Sequence, residues 1–300
     1  MKTIAIIGPT ASGKSDLAIK IALKIDAYIL SIDSLSIYKE IDIVSAKPSK
    51  KELSQVKHFG VDLLNPNEYF SVDIFINLYQ KVLKLCQKES KNLVIVGGTS
   101  FYLKSLVEGL SSLPTITPKI EEKVKLKLKS LQECYIFLNS IDEKYMQKVS
   151  QNDSYRIEKA LLIYEASGLS PTEWFKSNPP EPIIKNLDIF NIEVSRDLLR
   201  ERIQKRSSKM FKMGLINEVS LLEQKYTRAP NSMRSIGVVE VLEYLDGKIS
   251  QEEMLDLISI HTAQLAKRQQ TFNRTQFTDI TNAPLEKLEN IILQSVWSKN

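Results

Sequence analysis

Short runs of apolar residues alternate with longer amphipathic stretches along the first hundred residues of the chain. The runs at 4–7, 28–32 and 93–96 are four or five residues long and rich in isoleucine and valine. Between the first two runs, apolar residues recur at a helical spacing, as at Leu17 and Ile21. Short continuous apolar runs are typical of buried parallel strands, and this spacing is typical of helices that pack on them. The pattern therefore predicts an α/β fold with a parallel sheet flanked by helices.

The pattern changes in the middle of the chain. Proline-containing segments at 111–118 and 177–182 bracket a lysine-rich region with helical periodicity, and such stiff segments suit a hinge between two bodies. An apolar run then returns at 187–194, and its alternation predicts a strand at the edge of the sheet. We therefore predict a core formed by residues 1–112 and 183–300, with an inserted all-helical domain at 113–182.

A glycine-rich segment follows the first predicted strand directly. It fits the pattern G-x-x-x-x-G-K-[ST], in which glycines let the backbone approach phosphate oxygens and the N–H groups at a helix start bind the anion. Its residues are Gly8, Pro9, Thr10, Ala11, Ser12, Gly13, Lys14 and Ser15. Lys14 adds a positive charge, and the Ser15 hydroxyl in such loops binds Mg²⁺ together with phosphate oxygens. The sequence thus predicts a P-loop NTPase-like core that binds Mg²⁺ and a phosphorylated molecule such as ATP, without identifying that molecule.

Two further polar residues follow predicted strands. Asp33 comes after the second strand and Thr99 after the third, and Thr99 is preceded by Gly97 and Gly98. Open α/β sheets build their sites at the carboxyl ends of their strands, so both side chains are candidates for chemistry. Asp33 could act as a general base or lie in the outer shell of Mg²⁺. Simple capping of the segment that follows is the alternative explanation for each residue.

Composition limits the remaining classes. The chain of 300 residues has a net charge of +5, which permits a polyanionic partner without requiring one. Its two cysteines and two histidines form no pair typical of metal or redox sites. No apolar run approaches the length of a membrane span, and no signal-peptide pattern opens the chain. We expect a cytoplasmic enzyme, monomeric and without an obligate protein partner.

At least six blocks of the sequence, taken in order, resemble the tRNA dimethylallyltransferases, which attach an isoprenoid to an adenosine beside the anticodon. The similar family motifs are GPTASGK[ST], an aspartate–serine pair, V-G-G-T-x-x-Y, N-D-x-x-R-x-x-R-A-L, R-I-x-x-R before M-x-x-x-G-L-x-x-E-V, and R-Q-x-A-K-R-Q-x-T-W-x-R. Their counterparts here lie at 8–15, 33–34, 96–102, 152–161, 202–219 and 263–274. The resemblance covers most of the chain, and it also implies a helix at 134–138, where strand propensity is high.

The resemblance implies a reaction and a set of roles. In this reaction the N6 amine of the adenosine 3′ of the anticodon attacks dimethylallyl diphosphate, and diphosphate leaves. Asp33 would accept the amine proton, Thr99 would contact the adenosine or the departing oxygen, and Arg206 would bind the diphosphate with the loop and Mg²⁺. The tRNA anticodon stem-loop would be contacted by Asp33, Ser34, Leu35, Ser36, Thr99, Tyr155, Arg156, Lys159, Lys267, Arg268 and Gln269.

The chain departs from the family pattern at a few positions. Val44 and Ser45 replace a glycine and a threonine, Val238 replaces a tyrosine, and Ala263 and Phe272 replace an arginine and a tryptophan. The zinc-finger cysteines of the eukaryotic members are missing from the sequence, so we expect a bacterial type.

Three other functions fit parts of the pattern. A small-molecule kinase would use the same loop for ATP. An adenylate isopentenyltransferase would share the core but would not need the RNA-binding insertion. A non-catalytic RNA-binding protein is disfavoured because Lys14, Ser15, Asp33 and Thr99 are all retained.

Overall fold

The computed structural model describes residues 1–298, which form two compact units. The first unit comprises Met1–Val107 together with the segment that starts at Lys185, and the second comprises Glu108–Ile184. The boundaries predicted from the sequence were 113 and 182. Within residues 1–298, none of the helices combines the length and the apolar character that a membrane crossing requires.

The first unit is built on six strands, all paired in parallel, which confirms the predicted α/β class. In chain order they are β1 Thr3–Ile7, β2 Ala27–Ser31, β3 His58–Phe59, β4 Asn92–Gly97, β5 Asp188–Glu193 and β6 Thr281–Pro284. Their order across the sheet is β3-β2-β4-β1-β5-β6. Because β1 lies between β4 and β5, Ile7 at its carboxyl end is level with Gly97 on one side and Asn191 on the other. The three predicted strands of the first hundred residues are therefore neighbours, and their carboxyl ends meet.

The prediction that the strand at 187–194 forms a sheet edge was wrong, because β6 covers its outer side. The polar position that made this run look half-exposed is Asn191. Its amide donates to Asn282 Oδ1 of β6 at 2.8 Å and its Oδ1 accepts from Asn273 Nδ2 at 3.0 Å. The strand β6 has the sequence TNAP, and such a segment lacks the apolar run by which strands are recognised.

Helices cover the sheet of the first unit. They are α1 Lys14–Lys24, α2 Lys50–Gln55, α3 Val72–Lys88, α4 Ser100–Val107, α10 Arg196–Lys212, α11 Leu215–Tyr226, α12 Val238–Leu245, α13 Gln251–Gln276 and α14 Leu285–Ser298, with a short 3₁₀ turn at Asn231–Arg234. One apolar core joins α1 and α14 to the sheet, where Ile21 and Leu288 are fully buried. A second core lies among α10, α11, α12 and α13, around Met210 and Ile258. The helix α13 therefore reaches from this second core to the carboxyl edge of the sheet.

The second unit consists of helices. They are α5 Pro118–Lys127, α6 Leu131–Ile141, α7 Glu143–Met146, α8 Ser154–Ser167 and α9 Pro171–Ser177. Leu138 of α6 and Ile157 of α8 are fully buried in its core. The helix implied at 134–138 is confirmed, because tertiary burial of one face prevails over the strand propensity of the segment.

Candidate functional site

The glycine-rich loop turns from β1 into α1. Gly13 caps α1 with a φ of 89°, a left-handed conformation that glycine adopts without steric cost. A Cβ at this position would also lie 2.7 Å from Leu285 Cδ2 of α14. On the other side of the loop, Arg202 of α10 donates from Nη1 to the Ser12 carbonyl at 3.2 Å. The loop is therefore fixed by its own backbone and by two helices.

Two cations lie at the loop near a carboxylate. Lys14 begins α1, and its Nζ donates to the Pro9 carbonyl at 3.1 Å. Burial lowers the pKa of Lys14 to about 8, the charge of Asp33 raises it and that of Arg206 lowers it. Burial likewise lowers the pKa of the Arg206 guanidinium, and Asp33 opposes that shift. A desolvated pair of like charges is costly, so this site favours an anion between them.

Asp33 is held firmly after β2. Its Oδ1 accepts the N–H groups of Leu35 at 2.8 Å and Ser36 at 3.1 Å, while its own N–H donates to Ser31 Oγ at 3.2 Å. The capping alternative is thus real for one carboxylate oxygen. Within residues 1–298 no hydrogen bond is formed by Oδ2, so the second oxygen is available to a bound substrate.

Thr99 stands at the corresponding point after β4. The turn before it needs glycine, because a Cβ at Gly97 would lie 2.7 Å from Ile32 Cγ1 and 2.9 Å from the Ile32 carbonyl carbon. This close approach brings the end of β4 against the end of β2, where Asp33 follows. The helix α4 begins directly after Thr99, whose carbonyl accepts from Tyr102 N–H at 3.0 Å.

A cavity of about 650 Å³ joins these elements. The structure brings together in its lining nine of the residues predicted from sequence, namely Thr10, Lys14, Asp33, Ser34, Leu35, Thr99, Arg206, Arg268 and Gln269. Ser36 is buried behind Asp33, and Lys267 is exposed on α13. The remaining loop residues Gly8, Pro9, Ala11, Ser12, Gly13 and Ser15 surround Lys14 without belonging to that lining.

The other three predicted residues belong to the second unit. Tyr155, Arg156 and Lys159 lie in the first turns of α8. Tyr155 is 63% exposed, and Lys159 Nζ lies 5.4 Å from the centre of its ring. Arg156 is paired with Asp153 at 3.5 Å and donates to the Lys148 carbonyl at 3.3 Å. This end of α8 therefore presents an exposed aromatic ring flanked by two cations.

Gln269, which the resemblance predicts to contact the RNA, is hydrogen-bonded within the protein. Its Oε1 accepts the Thr10 N–H at 2.8 Å and its Nε2 donates to the Gly98 carbonyl at 3.1 Å. A donor and an acceptor of the amide are therefore already bound to the backbone of the site.

Sequence reasoning missed the apolar part of the cavity. Tyr102 stacks on Phe75 with ring centres 5.0 Å apart and meets Phe70 edge-on at 5.5 Å. Burial raises the pKa of Tyr102 to about 12, so its hydroxyl stays neutral. Three of the departures from the family pattern, Val44, Ser45 and Phe272, also line the cavity. The motif V-G-G-T-x-x-Y contains Tyr102, but its contacts lie in other elements and could not be inferred from that spacing.

A magnesium ion would find only oxygen donors here. The Ser15 hydroxyl in the first turn of α1 is such a donor. Mg²⁺ prefers such hard oxygen ligands in combination with phosphate oxygens and water. The residues present therefore fit this ion. In the same part of the chain, no cluster of three or more histidine, cysteine, aspartate or glutamate side chains could hold a metal.

Comparisons with known proteins agree on one family. The sequence profile of the IPP transferases matches residues 36–276. The tRNA dimethylallyltransferase of Sulfurimonas denitrificans is 68% identical over 296 residues, which cover 99% of this chain and all of the relative. That of Helicobacter pylori is 41% identical over 293 residues, with 98% and 93% covered. The crystal structure of a tRNA isopentenylpyrophosphate transferase from Staphylococcus epidermidis is similar with a TM-score of 0.71 and 29% identity, over all of both chains.

Proposed function

The chain belongs to the IPP transferase family, and from this membership and the geometry of the cavity we infer that it is a prenyl-transferring enzyme that modifies tRNA. It transfers a dimethylallyl group from dimethylallyl diphosphate to the N6 amine of an adenosine and releases diphosphate. The observation that carries this reading is the meeting of a phosphate loop, two cations, Asp33 and Thr99 in one cavity. The aromatic wall of the cavity suits an allylic group, and a site that only hydrolyses or transfers phosphate does not require such a wall.

The diphosphate is held by positive charge that is fixed before it binds. Lys14 lies on α1 and Arg206 on α10, and both are desolvated. As the carbon–oxygen bond breaks, negative charge accumulates on the leaving group, and these cations stabilise it where it develops. Held by Ser15 and by the diphosphate itself, Mg²⁺ would supply further charge neutralisation to the leaving group.

Asp33 accepts the proton of the attacking amine through its Oδ2. The two backbone N–H groups that hold Oδ1 fix the direction of the other oxygen, and geometry matters more than basicity for such a step. The purine amine is a weak nucleophile, so its orientation toward the allylic carbon carries much of the rate enhancement. Thr99 contributes a hydroxyl at the same edge of the sheet, beside the adenosine or the departing oxygen.

Aromatic side chains suit both organic groups of the reaction. Phe70, Phe101, Tyr102 and Phe272 line the cavity and provide faces for a purine and for the dimethylallyl group. The target base must leave its stack to reach Asp33, since the reacting amine is otherwise paired or stacked within the RNA. An apolar wall also limits water access to the allylic carbon.

The anticodon stem-loop is the part of tRNA that we propose as the substrate, with the adenosine 3′ of the anticodon as the target. Tyr155, Arg156 and Lys159 would contact it from α8, and Lys267 and Arg268 from α13. Cations of this kind bind phosphates, and an exposed tyrosine stacks on an unpaired base. A tRNA substrate agrees with the expectation of a cytoplasmic enzyme.

One set of reactions tests the proposal against its alternatives. The protein is incubated with dimethylallyl diphosphate and an anticodon stem-loop RNA, and in parallel with AMP or with ATP and small acceptors. We expect prenylated adenosine in the RNA alone, detected by mass spectrometry. Prenylated AMP would support the adenylate transferase, and ATP-dependent phosphorylation would support the kinase. Loss of product when the adenosine is replaced by 2-aminopurine, which lacks the N6 amine, would verify the acceptor.

A further inference from the structure

The side chain of Gln269 spans the gap between two segments of the site. Its Oε1 accepts the Thr10 N–H at 2.8 Å and its Nε2 donates to the Gly98 carbonyl at 3.1 Å. Thr10 belongs to the phosphate loop, and Gly98 directly precedes Thr99. A single amide therefore connects the backbone that surrounds the diphosphate with the backbone that presents Thr99.

Pairing between β1 and β4 does not by itself connect the phosphate loop to the segment that carries Thr99. β1 and β4 are in register up to the pair Ile7 and Gly97, which is the last pair of their ladder. Beyond it the two segments separate, one into the phosphate loop and the other into the turn before α4. Gln269 lies where the ladder ends. Its amide holds the phosphate loop and the turn before α4 at a fixed spacing through its two hydrogen bonds.

Gly98 is shaped to admit this amide. A Cβ at Gly98 would lie 3.2 Å from Gln269 Cδ and closer still to Nε2, and the three nearest heavy atoms all belong to Gln269. The backbone of Gly98 does not lie in the left-handed region, so its conformation alone does not demand glycine. The approach of Gln269 is thus the physical reason for the second glycine of the turn.

The helix that carries Gln269 is itself anchored along the same edge of the sheet. Gln270 donates from Nε2 to the Val194 carbonyl at 3.3 Å, and Asn273 donates to Asn191 of β5 at 3.0 Å. Ala266, one turn before, is fully buried against α10. A side chain on such an immobile helix can hold a geometry that a loop residue could not.

We propose that Gln269 is a positioning residue for prenyl transfer, which sets the distance between the bound diphosphate and the acceptor side of the site. The inference rests on the proposed function. The Thr10 N–H is directed at Gln269, so Lys14, Arg206 and the other loop groups account for diphosphate affinity. Removing the amide therefore disturbs alignment rather than binding. Small misalignments lower the chemical step far more than they lower affinity.

Steady-state kinetics of Q269M test the proposal, because methionine has a similar length but neither donates nor accepts these hydrogen bonds. We expect kcat to fall about 10- to 100-fold, with KM for dimethylallyl diphosphate and for the stem-loop RNA changed less than about threefold. Q269E, which keeps an acceptor for Thr10 but repels the Gly98 carbonyl, should not restore kcat. The matched control is Q251M, which removes the amide of an exposed glutamine at the start of the same helix and outside the cavity lining, and it should retain kcat.

A double-mutant cycle of G98A and Q269A gives an independent readout. If Gln269 is the only obstacle to a side chain at position 98, G98A lowers kcat in the wild-type chain and causes no further loss in the Q269A chain. Thermal melting of the four proteins verifies that each is folded. Losses of kcat that multiply in the double variant would overturn the proposal.

Other outcomes would also overturn it. A Q269M protein with unchanged kcat and a raised KM for RNA alone would show that Gln269 reads the base. An active wild-type chain with a fully active Q269M variant would reject the inference and leave the proposed function intact. A wild-type chain without turnover would reject both.

Discussion

Glu218 holds the backbone of Val44 from the neighbouring helix α11. Its Oε1 accepts the Val44 N–H at 3.0 Å, and its Oε2 accepts the N–H groups of Ile43 at 2.7 Å and Asp42 at 3.1 Å. Val44 lines the cavity at a position where the family pattern has glycine. One carboxylate thus fixes a segment of the cavity wall that belongs to no helix or strand.

Replacing Glu218 by alanine should destabilise the protein. Three backbone donors would then be without an acceptor, and unsatisfied groups of this kind lower the free energy of unfolding by about 3 kcal/mol in total. Glu218→Gln keeps one acceptor oxygen and should cost about half as much. Urea denaturation of the three proteins would measure the order. Equal stabilities for wild type and Glu218→Ala would show that water satisfies these N–H groups.

The pH dependence of substrate capture should reveal Lys14. Burial lowers its pKa to about 8, so the free enzyme loses this charge as the pH rises above that value. We expect kcat/KM for dimethylallyl diphosphate to fall about tenfold per pH unit above this pKa. In Lys14→Arg the charge persists, and this decline should move beyond the measurable range. A decline at the same pH in both proteins would assign it to another group.

The lowered pKa of Lys14 makes the free energy of unfolding rise with pH, whereas kcat/KM falls. Between the folded pKa of about 8 and the ordinary lysine pKa of 10.5, the unfolded chain binds more protons at Lys14 than the folded chain does. Folding is therefore favoured as the pH rises through this interval. Comparing the pH slopes of the unfolding free energy of wild type and Lys14→Met would measure this contribution. A steeper rise in the Met variant would contradict it.

Removal of the Asp33 carboxylate should stop the reaction but not the binding of tRNA. Asp33→Asn keeps an oxygen that can accept the N–H groups of Leu35 and Ser36, so the turn is preserved while the base is lost. We expect kcat to fall by a factor on the order of 100 to 10,000. The Kd for stem-loop RNA, measured by fluorescence anisotropy, should be nearly unchanged. Normal turnover in Asp33→Asn would rule out the role of Asp33 as the base.

Replacing Lys267 and Arg268 together by alanine should weaken RNA binding and reduce its dependence on salt. For each RNA phosphate that the protein no longer neutralises, the slope of log K against log salt should decrease by about 0.7 to 0.9. Lys205→Ala is a suitable control, because Lys205 is exposed on α10 and already paired with Glu201. An unchanged slope in the double variant would mean that this part of α13 faces away from the RNA.

The sequence allowed prediction of those parts of the site that follow from local pattern. The phosphate loop is recognised from its own spacing between a strand and a helix, and Asp33 and Thr99 follow apolar runs that parallel pairing places side by side. The six-strand order and β6 itself were not predictable in this way. The strand β6 has four residues and contains a proline, so it is recognised as a strand only from its pairing with β5.

The sequence also did not allow prediction of hydrogen bonds between side chains and backbone groups that are distant along the chain. Gln269 and Glu218 both lie in segments that resemble family motifs, but their partners are backbone groups at least 170 residues away along the chain. A motif shows that a residue type occurs at a position. It does not show which main-chain groups that residue will meet, because this depends on helix placement set by burial elsewhere.

The short strands at the two edges of the sheet limit self-association of the protein. An exposed strand edge is a template onto which another chain can add a strand, and proteins limit this risk by shortening such edges or placing proline on them. Here one edge is β3, of two residues, and the other is β6, of four residues ending in Pro284. The sheet therefore offers little purchase for intermolecular strand addition, even at the high protein concentrations that promote aggregation.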